Sequence, residues 1–501
     1  MPQSLAYAEL AGTPAVHGLY TAAVATIAAG LIGSSPYLQT GPVALTSLLT
    51  FGALAPLAEA GTQDFAVHAA LLALVVGAVR LLLGLLRWGV VAYLMSQPVV
   101  SAFTAAAAIL IISSQLPGLL DVRTDDANPL VAAGRALGDP GGWGAVSVAI
   151  GLGTVAVVVG GRRLGPRFPG ALVATAAALG LSALGWVTVT EVGDIPDGFP
   201  PLSSGLPWGT FGSLVVPGAV IALVGFAEPA SIARRYAAED RTPWDADREF
   251  VGQGLANIAA GAFSGYPAGG SFSRSALNRL SGARTRWSGV VTGLAVLAVM
   301  PVASVLGSLP RAALAGLVVA AVVTLVDFRP FVEAWRASRP QFLVAVPTFV
   351  ATLAFAPRVE RGVLVGVALS LAVHLWRELR LELDVWTTED TLHVRPQGVL
   401  YFASAPSLET RVMTLMAEGP GLRHVVVHLD RLGRLDLTGA LVLRSLVEDM
   451  QRADADVVIE GTQPQARRLV DAVLGPPSVE SAESGTLGSG SVAGKDGDGV
   501  T

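Results

Sequence analysis

The stretch between Glu9 and Glu59 contains no Asp, Glu, Lys or Arg. Uncharged runs of similar character recur at residues 143–161, 168–190, 288–310 and 341–357. Each run approaches or exceeds the roughly 20 residues that a helix needs to cross the hydrocarbon core of a bilayer. With 52% hydrophobic and only 14% charged residues, the composition is typical of a polytopic α-helical membrane protein rather than of a soluble domain.

Two short apolar segments, residues 41–47 (GPVALTS) and 269–275 (GGSFSRS), are interrupted by glycine, proline or serine at similar depths of two hydrophobic halves. Irregular backbone within a membrane is tolerated only where protein buries it or where it lines a watery cavity. Paired interruptions of this kind mark the binding sites of secondary transporters. We therefore predict about fourteen helical segments before residue 381, arranged as a seven-plus-seven inverted repeat whose two interrupted elements enclose one site.

Arginines predict the orientation of the helices, because the only lysine is Lys495. The connections with few arginines include the acidic stretches Asp121–Asp126 and Glu191–Asp197. Arginine-rich connections face the cytoplasm, and an even number of helices places the C-terminus on the same side. The arginines that this interpretation assigns to cytoplasmic connections are Arg80, Arg87, Arg162, Arg163, Arg167, Arg234, Arg235, Arg241, Arg248, Arg279, Arg284, Arg286, Arg329, Arg336 and Arg339.

The chain changes character after Arg380, so residues 1–380 are predicted to form the membrane domain. Its first helix, Pro2–Gly12, is predicted to be truncated to about half a span. Residues 381–475 alternate between strand and helix patterns and predict a small α/β domain. The predicted strands are residues 392–394, 399–403, 425–429 and 457–459, and the helices begin near Ala405, Thr438 and Gln465. Residues 476–501 are rich in Gly and Ser and predict a disordered tail.

The residues that would support an enzymatic function are missing from the pattern. The chain has no cysteine, and its six histidines have no metal-ligand spacing. No complete phosphate-binding loop occurs, so ATP does not power transport. We therefore expect no enzyme activity, metal, cofactor or nucleic-acid partner, and a transport process that runs on ion gradients, with the lipid bilayer, a small anion and protons as partners.

Two charged residues stand out within apolar sequence. Arg274 follows Gly269-Gly270 directly and would add a guanidinium group to a helix N-terminus, which itself attracts anions. Alternatively, Arg274 is a cytoplasmic flank of its helix. Glu228 ends an apolar stretch, and a carboxylate within a membrane is costly enough to predict a function, here exchange of a proton as substrate arrives. Alternatively, Glu228 neutralises Arg234 or Arg235.

Four motifs occur in order along the chain: residues 2–8 (PQSLAYA), 17–20 (HGLY), 33–44 (GSS through TGPVA) and 270–276 (GSFSRSA). On these motifs the sequence resembles the sulfate permease (SulP) family of anion transporters. The resemblance implies a membrane domain of inverted repeats with core and gate parts, followed by a cytoplasmic STAS domain. It also implies a substrate site between the N-termini of helices three and ten, beside helix one. Carried over motif by motif, the substrate-binding residues are Gln3, Tyr7, Val43, Ala44, Ser273 and Arg274.

Further expectations follow from the resemblance. Many relatives have an aromatic residue where Val43 stands, which implies a roomier pocket here. Proton-coupled relatives have a glutamate where Glu228 stands. Most have an apolar residue where Glu9 stands, so Glu9 is either a second proton site or a carboxylate at the outer interface. Thr438 lies in a turn similar to one that some STAS proteins phosphorylate, but it could equally be an N-cap. The family's dimer contacts imply a homodimer.

The sequence thus predicts a proton-coupled symporter of a small anion in a bacterial inner membrane, working by alternating access. The predicted roomier pocket and the two carboxylates favour a dicarboxylate such as fumarate, while sulfate and bicarbonate remain open. Two alternatives belong to other classes: a membrane-anchored STAS sensor or scaffold, and a passive anion channel.

Overall fold

The computed structural model describes residues 1–93, 96–124, 126–165, 168–184, 188–378, 381–402 and 404–475. Contacts divide the chain into two units, of which the first is Met1–Ser370 and the second begins at Leu371. The predicted boundary at Arg380, the predicted tail at 476–501 and Arg167 of the predicted cytoplasmic set lie outside the described residues.

The first half of the membrane unit consists of helices and one very short strand. Its described α-helices are α1 (Pro2–Leu10), α2 (Val16–Ile32), α3 (Ala44–Leu54), α4 (Gln63–Leu85), α5 (Gln97–Leu120), α6 (Pro129–Gly138), α7 (Ala145–Gly161) and α8 (Gly170–Ala183). Strand β1 (Thr40–Gly41) lies between α2 and α3. Local capping fixes several starts. For example, the side chain of Thr62 accepts a hydrogen bond from the backbone N of Phe65 at the start of α4.

The second half repeats this order. Its described α-helices are α9 (Phe211–Asp240), α10 (Ala246–Ala262), α11 (Phe272–Leu280), α12 (Trp287–Val299), α13 (Arg311–Val322), α14 (Arg329–Ala337), α15 (Arg339–Ala354) and α16 (Val359–Glu378). Strand β2 (Gly269–Gly270) precedes α11 as β1 precedes α3. Leaving out the short helices α6 and α14, the described helices form two sets of seven, and the predicted seven-plus-seven arrangement is confirmed.

Several spans are shorter than a bilayer is thick. By length and composition, seven described helices can cross a membrane, while α2, α3 and α8 are apolar but shorter. The short α3 and α11 are expected, since each starts within the unit after a strand of two residues. The hydrophobic core contains buried residues from α1, α3, α4, α5, α9 and α13. The two broken elements are therefore held by packed helices on several sides.

One arginine, Arg80, is not in the cytoplasmic connection that the sequence predicted for it. Arg80 was assigned to a cytoplasmic connection, but it lies within α4 and its side chain is completely buried. That prediction is wrong because the positive-inside rule counts charges along the sequence and cannot detect a neighbouring helix that supplies hydrogen-bond acceptors.

The second unit is an α/β domain with a five-stranded sheet in the described residues. Its elements are β3 (Glu382–Thr388), β4 (Thr391–Leu400), α17 (Ala405–Glu418), β5 (His424–His428), β6 (Leu432–Leu435), α18 (Leu437–Arg452), β7 (Asp456–Glu460) and α19 (Pro464–Leu474). The strand order is β3-β4-β5-β7, and β6 pairs with the end of β4. Strand β3 is antiparallel to β4, whereas β5 and β7 run parallel to their neighbours.

Two details of this domain differ from the prediction. The segments predicted as separate strands at 392–394 and 399–403 lie largely in one continuous strand, β4, and strands β3 and β6 were missed. Thr438 is exposed in the first turn of α18, but it is not the N-cap. That position belongs to Asp436, whose Oδ1 accepts a hydrogen bond from the backbone N of Gly439 at 2.7 Å.

Candidate functional site

The two broken segments meet as an antiparallel pair. Thr40 lies opposite Gly270, and Gly41 lies opposite Gly269. The backbone N of Ser271 extends the pairing by donating to the carbonyl of Gln39 at 3.0 Å. A Cβ at Gly269 would lie 2.9 Å from Cγ2 of Val43, so the crossing is too tight for a larger residue. The prediction that the two interruptions face each other agrees with this geometry.

A helix begins immediately after each strand of the pair. Helix α3 has Val43 as its N-cap and no side-chain cap, so N–H groups of its first turn have no side-chain acceptor. Helix α11 has Ser271 as its N-cap, and the Ser271 Oγ accepts from the backbone N of Arg274 at 3.4 Å. Each N-terminus carries roughly half a positive charge. Two such termini at one crossing create a region that attracts anions.

Arg274 joins the two broken segments. Its Nη2 donates to the carbonyl oxygen of Pro42 at 2.6 Å, across the crossing from its own helix. It is therefore not a free flank of α11. The side chain is not among those that line the cavity described next.

A cavity of about 380 Å³ lies against the two helix N-termini. Five of the residues predicted for the site line it: Tyr7, Val43, Ala44, Glu228 and Ser273. Its wall also includes Arg162, Arg235 and Tyr236. A second cavity of about 470 Å³ adjoins it. The two share Leu45, Thr104, Glu228, Phe272, Thr324 and Leu325.

Glu228 occupies the wall between these cavities. It lies within α9, directly before Pro229, and is half-buried. Tyr7 on α1 lines the smaller of the two cavities together with Glu228. Arg235, an alternative partner considered for Glu228, forms its ion pair with Glu239 at 2.9 Å instead. Glu228 thus lines space on both sides of this wall, and the alternative pairing with Arg235 is not formed.

The remaining predicted residues lie elsewhere. Glu9 lines a different cavity of about 490 Å³, which shares no lining residue with the other two. Its Oε1 is 3.8 Å from the Nε of Arg311. Gln3 is half-buried in the first turn of α1 and is not among the lining residues of the cavity that contains Glu228. Thr438 belongs to the second unit and is no part of this site.

The sequence interpretation missed a row of buried polar residues on α10. Glu249, Gln253 and Asn257 are spaced four residues apart and therefore share one helix face. Gln253 donates to the Oγ1 of Thr40 at 2.7 Å, and Asn257 exchanges hydrogen bonds with the backbone of Ala268. The row thus supports both broken segments. The repeat of polar residues at a spacing of four was the signal that could have found it.

The family model that describes the sulfate permease family matches residues 1–348, more than half of the chain, and the STAS domain model matches residues 382–474. The chain belongs to the sulfate permease family. Sulfate transporter 4.1 of Arabidopsis thaliana is 31% identical to this permease over 92% of this chain and 73% of the relative. A probable sulfate transporter of Mycobacterium tuberculosis is 32% identical over 91% of this chain and 87% of the relative.

Solved structures show the same fold. The murine solute carrier 26 family member A9 anion transporter, in its inward-facing state, superimposes on this permease with a TM-score of 0.85. The match has 19% sequence identity and covers 94% of this chain and 84% of that protein. The transmembrane domain of a cyanobacterium bicarbonate transporter matches with a TM-score of 0.63 and 22% identity, covering 73% of this chain and 93% of that domain. The permease is therefore a multi-pass membrane protein with a C-terminal STAS domain.

Proposed function

We propose that this permease is a secondary active transporter that moves a small divalent anion together with protons by alternating access. One observation carries the proposal: a single cavity is lined by residues at the N-termini of α3 and α11 and by the carboxylate of Glu228. The helix N-termini favour the anion. The carboxylate supplies a group whose charge an arriving anion would alter, which is what coupling to protons requires.

We narrow the proposed substrate to two divalent anions, sulfate and a dicarboxylate. Curated relatives are named sulfate transporters, which supports sulfate for this chain. The small Val43 and Ala44 line the cavity, and the space that they leave supports a dicarboxylate such as fumarate as the other candidate. Bicarbonate, a monovalent anion, is the comparison substrate. Arg274 and the two helix N-termini together favour a divalent anion, because attraction grows with charge.

In this proposal Glu228 is the main proton-coupling group, Ser273 and Tyr7 contact the anion, and Gln3 contributes from the first turn of α1. Glu9 is the second proton-coupling candidate, because its ion pair with Arg311 joins α1 to α13. Protonation of Glu9 would weaken that pair. Each charge moved through 100 mV contributes about 2.3 kcal/mol, so an ion gradient suffices to concentrate the substrate.

The proposed location is a bacterial inner membrane, with the STAS domain and C-terminus in the cytoplasm. Support comes from the arginines Arg162 and Arg235 on the cavity wall, which by the positive-inside rule mark the cytoplasmic side. We also propose a homodimer in which each protomer has its own transport path. Separately, we propose that the exposed Thr438 can be phosphorylated. Mass measurement in nanodiscs tests the dimer.

The experiment for the transport proposal is uptake of radiolabelled sulfate, and separately of fumarate, into proteoliposomes with an acidic exterior. We expect the lumen to reach a higher substrate concentration than the medium, and dissipation of the pH gradient to abolish that excess. A passive channel would only equalise the two concentrations. A sensor or scaffold would show no uptake above protein-free liposomes.

A further inference from the structure

Arg80 is a buried cation that none of the roles above uses. Its side chain is completely buried within α4. Its Nε donates to the carbonyl of Ala222 at 3.0 Å, its Nη1 to the carbonyl of Ala268 at 2.9 Å and its Nη2 to the carbonyl of Ile221 at 3.2 Å. No carboxylate lies within ion-pair distance of Arg80 among the residues that the structure describes.

These hydrogen bonds give each of the three guanidinium nitrogens one acceptor but do not neutralise the charge. Moving a charge out of water is costly, and neutral carbonyls recover only part of that cost. A buried cation without a carboxylate lowers the free energy of any anion that comes near it. The structure therefore keeps an unbalanced positive charge inside the membrane unit. The location of this charge determines where an anion would be stabilised.

That location is directly behind the crossing of the two broken segments. Ala268, which accepts from Arg80, immediately precedes β2. On the other side, α9 has a glycine where the guanidinium packs: a Cβ at Gly225 would lie 2.7 Å from Nη2 of Arg80 and 3.0 Å from Cγ2 of Thr46, in the first turn of α3. Gly225 lies about one helical turn before Glu228. Arg80 thus contacts the elements that form the anion cavity without lining it.

We propose that Arg80 is a positioning and selectivity residue of the anion site. It fixes the carbonyl of Ala268 ahead of α11, and its charge favours divalent over monovalent anions. Arg274 contributes from within α11 and Arg80 from behind the crossing. The inference rests on the proposed anion transport, but it does not depend on proton coupling.

Electrostatics gives this proposal a signature that a purely structural role lacks. The attraction between a fixed charge and an anion is proportional to the charge of the anion. Removal of the Arg80 charge must therefore change the logarithm of affinity about twice as much for a divalent as for a monovalent anion. A residue that only holds the backbone would weaken both anions by the same factor.

The experiment measures KM for sulfate and for bicarbonate during uptake down a concentration gradient into proteoliposomes, at a pH where bicarbonate is the main carbonate species. Arg80→Gln keeps donors for the carbonyls but removes the charge. We expect KM to rise about tenfold for sulfate and about threefold for bicarbonate. Arg80→Lys should retain the wild-type ratio of the two KM values, with slower uptake because it loses carbonyl contacts. Arg163→Gln, which removes an exposed arginine outside these cavities, is the matched control and should leave the ratio unchanged.

The proposal would be overturned if Arg80→Gln raised the KM values for sulfate and bicarbonate by the same factor. It would also be overturned if Arg80→Lys changed the ratio of the two KM values as much as Arg80→Gln does. Where Arg80→Gln does not fold, Gly225→Ala tests the same charge dependence by displacing the guanidinium without removing its charge; log KM should again change about twice as much for sulfate as for bicarbonate. A larger loss for sulfate supports the proposal, and equal losses reject it. Wild-type protein that moves none of sulfate, bicarbonate and fumarate would instead reject anion transport itself. Wild-type uptake that ignores pH gradients would reject only proton coupling.

Discussion

The Nη2 of Arg274 lies 2.6 Å from the carbonyl oxygen of Pro42. This hydrogen bond connects the first turn of α11 to the residue that precedes the N-cap of α3. It places a guanidinium charge between two helix N-termini that already favour anions. The proposed anion site is thus built from both halves of the membrane unit, and neither half alone would complete it.

Replacement of Arg274 should weaken the site strongly. Arg274→Ala removes both the charge and the bond to Pro42, and hydrogen bonds to charged groups contribute about 1.5–3 kcal/mol. We expect KM for sulfate to rise at least tenfold, with saturation lost over the accessible concentration range. The KM of Arg274→Lys for sulfate should lie between those of Arg274→Ala and the wild type. Unchanged saturable uptake by a folded Arg274→Ala protein would remove Arg274 from the site.

Glu228 and Glu9 can be separated by matched substitutions. Glu228→Gln imitates a permanently protonated acid in the cavity at the helix N-termini. It should still carry sulfate down its gradient but should no longer concentrate it in a pH gradient. Glu9→Gln changes a carboxylate in a separate cavity and should retain most of the coupling. If Glu9→Gln lost coupling while Glu228→Gln kept it, Glu9 rather than Glu228 would be the main proton-coupling group.

The crossing of the broken segments tolerates no added volume. In Gly269→Ala the new Cβ would lie 2.9 Å from Cγ2 of Val43, so Val43, the N-cap of α3, or the backbone of the crossing must shift. We expect uptake to fall at least tenfold, because the two helix N-termini would separate. Gly180→Ala is the control: no atom outside its own helix lies within 4 Å of its added Cβ, and it should transport normally. Normal uptake by Gly269→Ala would show that the crossing can move freely.

The sequence predicted the breaks but not what holds them together. Gly-Gly and Gly-Pro interruptions are local signals that a helix must start anew, and α3 and α11 do begin shortly after them, although the short strands β1 and β2 were not predicted. The contact from Arg274 to Pro42 joins residues far apart in sequence, and no local pattern contains it. The assignment of Arg80 to a cytoplasmic connection was wrong for the same reason, because its hydrogen-bond acceptors belong to α9 and to the residue before β2.

The separate location of Glu9 was predictable in principle. Tyr7 and Glu9 are two residues apart on α1, and a helix turns about 100° per residue. Their side chains must therefore point in nearly opposite directions and cannot line one cavity. In the STAS domain, β3 and β6 were missed because each is short or largely exposed on one face, which leaves a weak hydrophobic pattern.

The N-cap of α18 offers a test in the STAS domain. Asp436→Ala removes the acceptor for the backbone N of Gly439, and loss of such a cap costs about 1 kcal/mol. Amide hydrogen exchange in the first turn of α18, measured in the full chain, should become about fivefold faster. Asp436→Asn keeps an acceptor and should exchange as the wild type does. Unaltered exchange in Asp436→Ala would mean that another group caps the helix.

The most direct test of the central claim uses the substrate gradient to drive protons. Proteoliposomes loaded with a pH-sensitive dye receive external sulfate at equal internal and external pH, with the membrane potential held at zero by potassium and valinomycin. A proton-coupled transporter must acidify the lumen as sulfate enters, and Glu228→Gln must not. Entry of radiolabelled sulfate into wild-type proteoliposomes without any acidification would contradict proton-coupled transport by this permease.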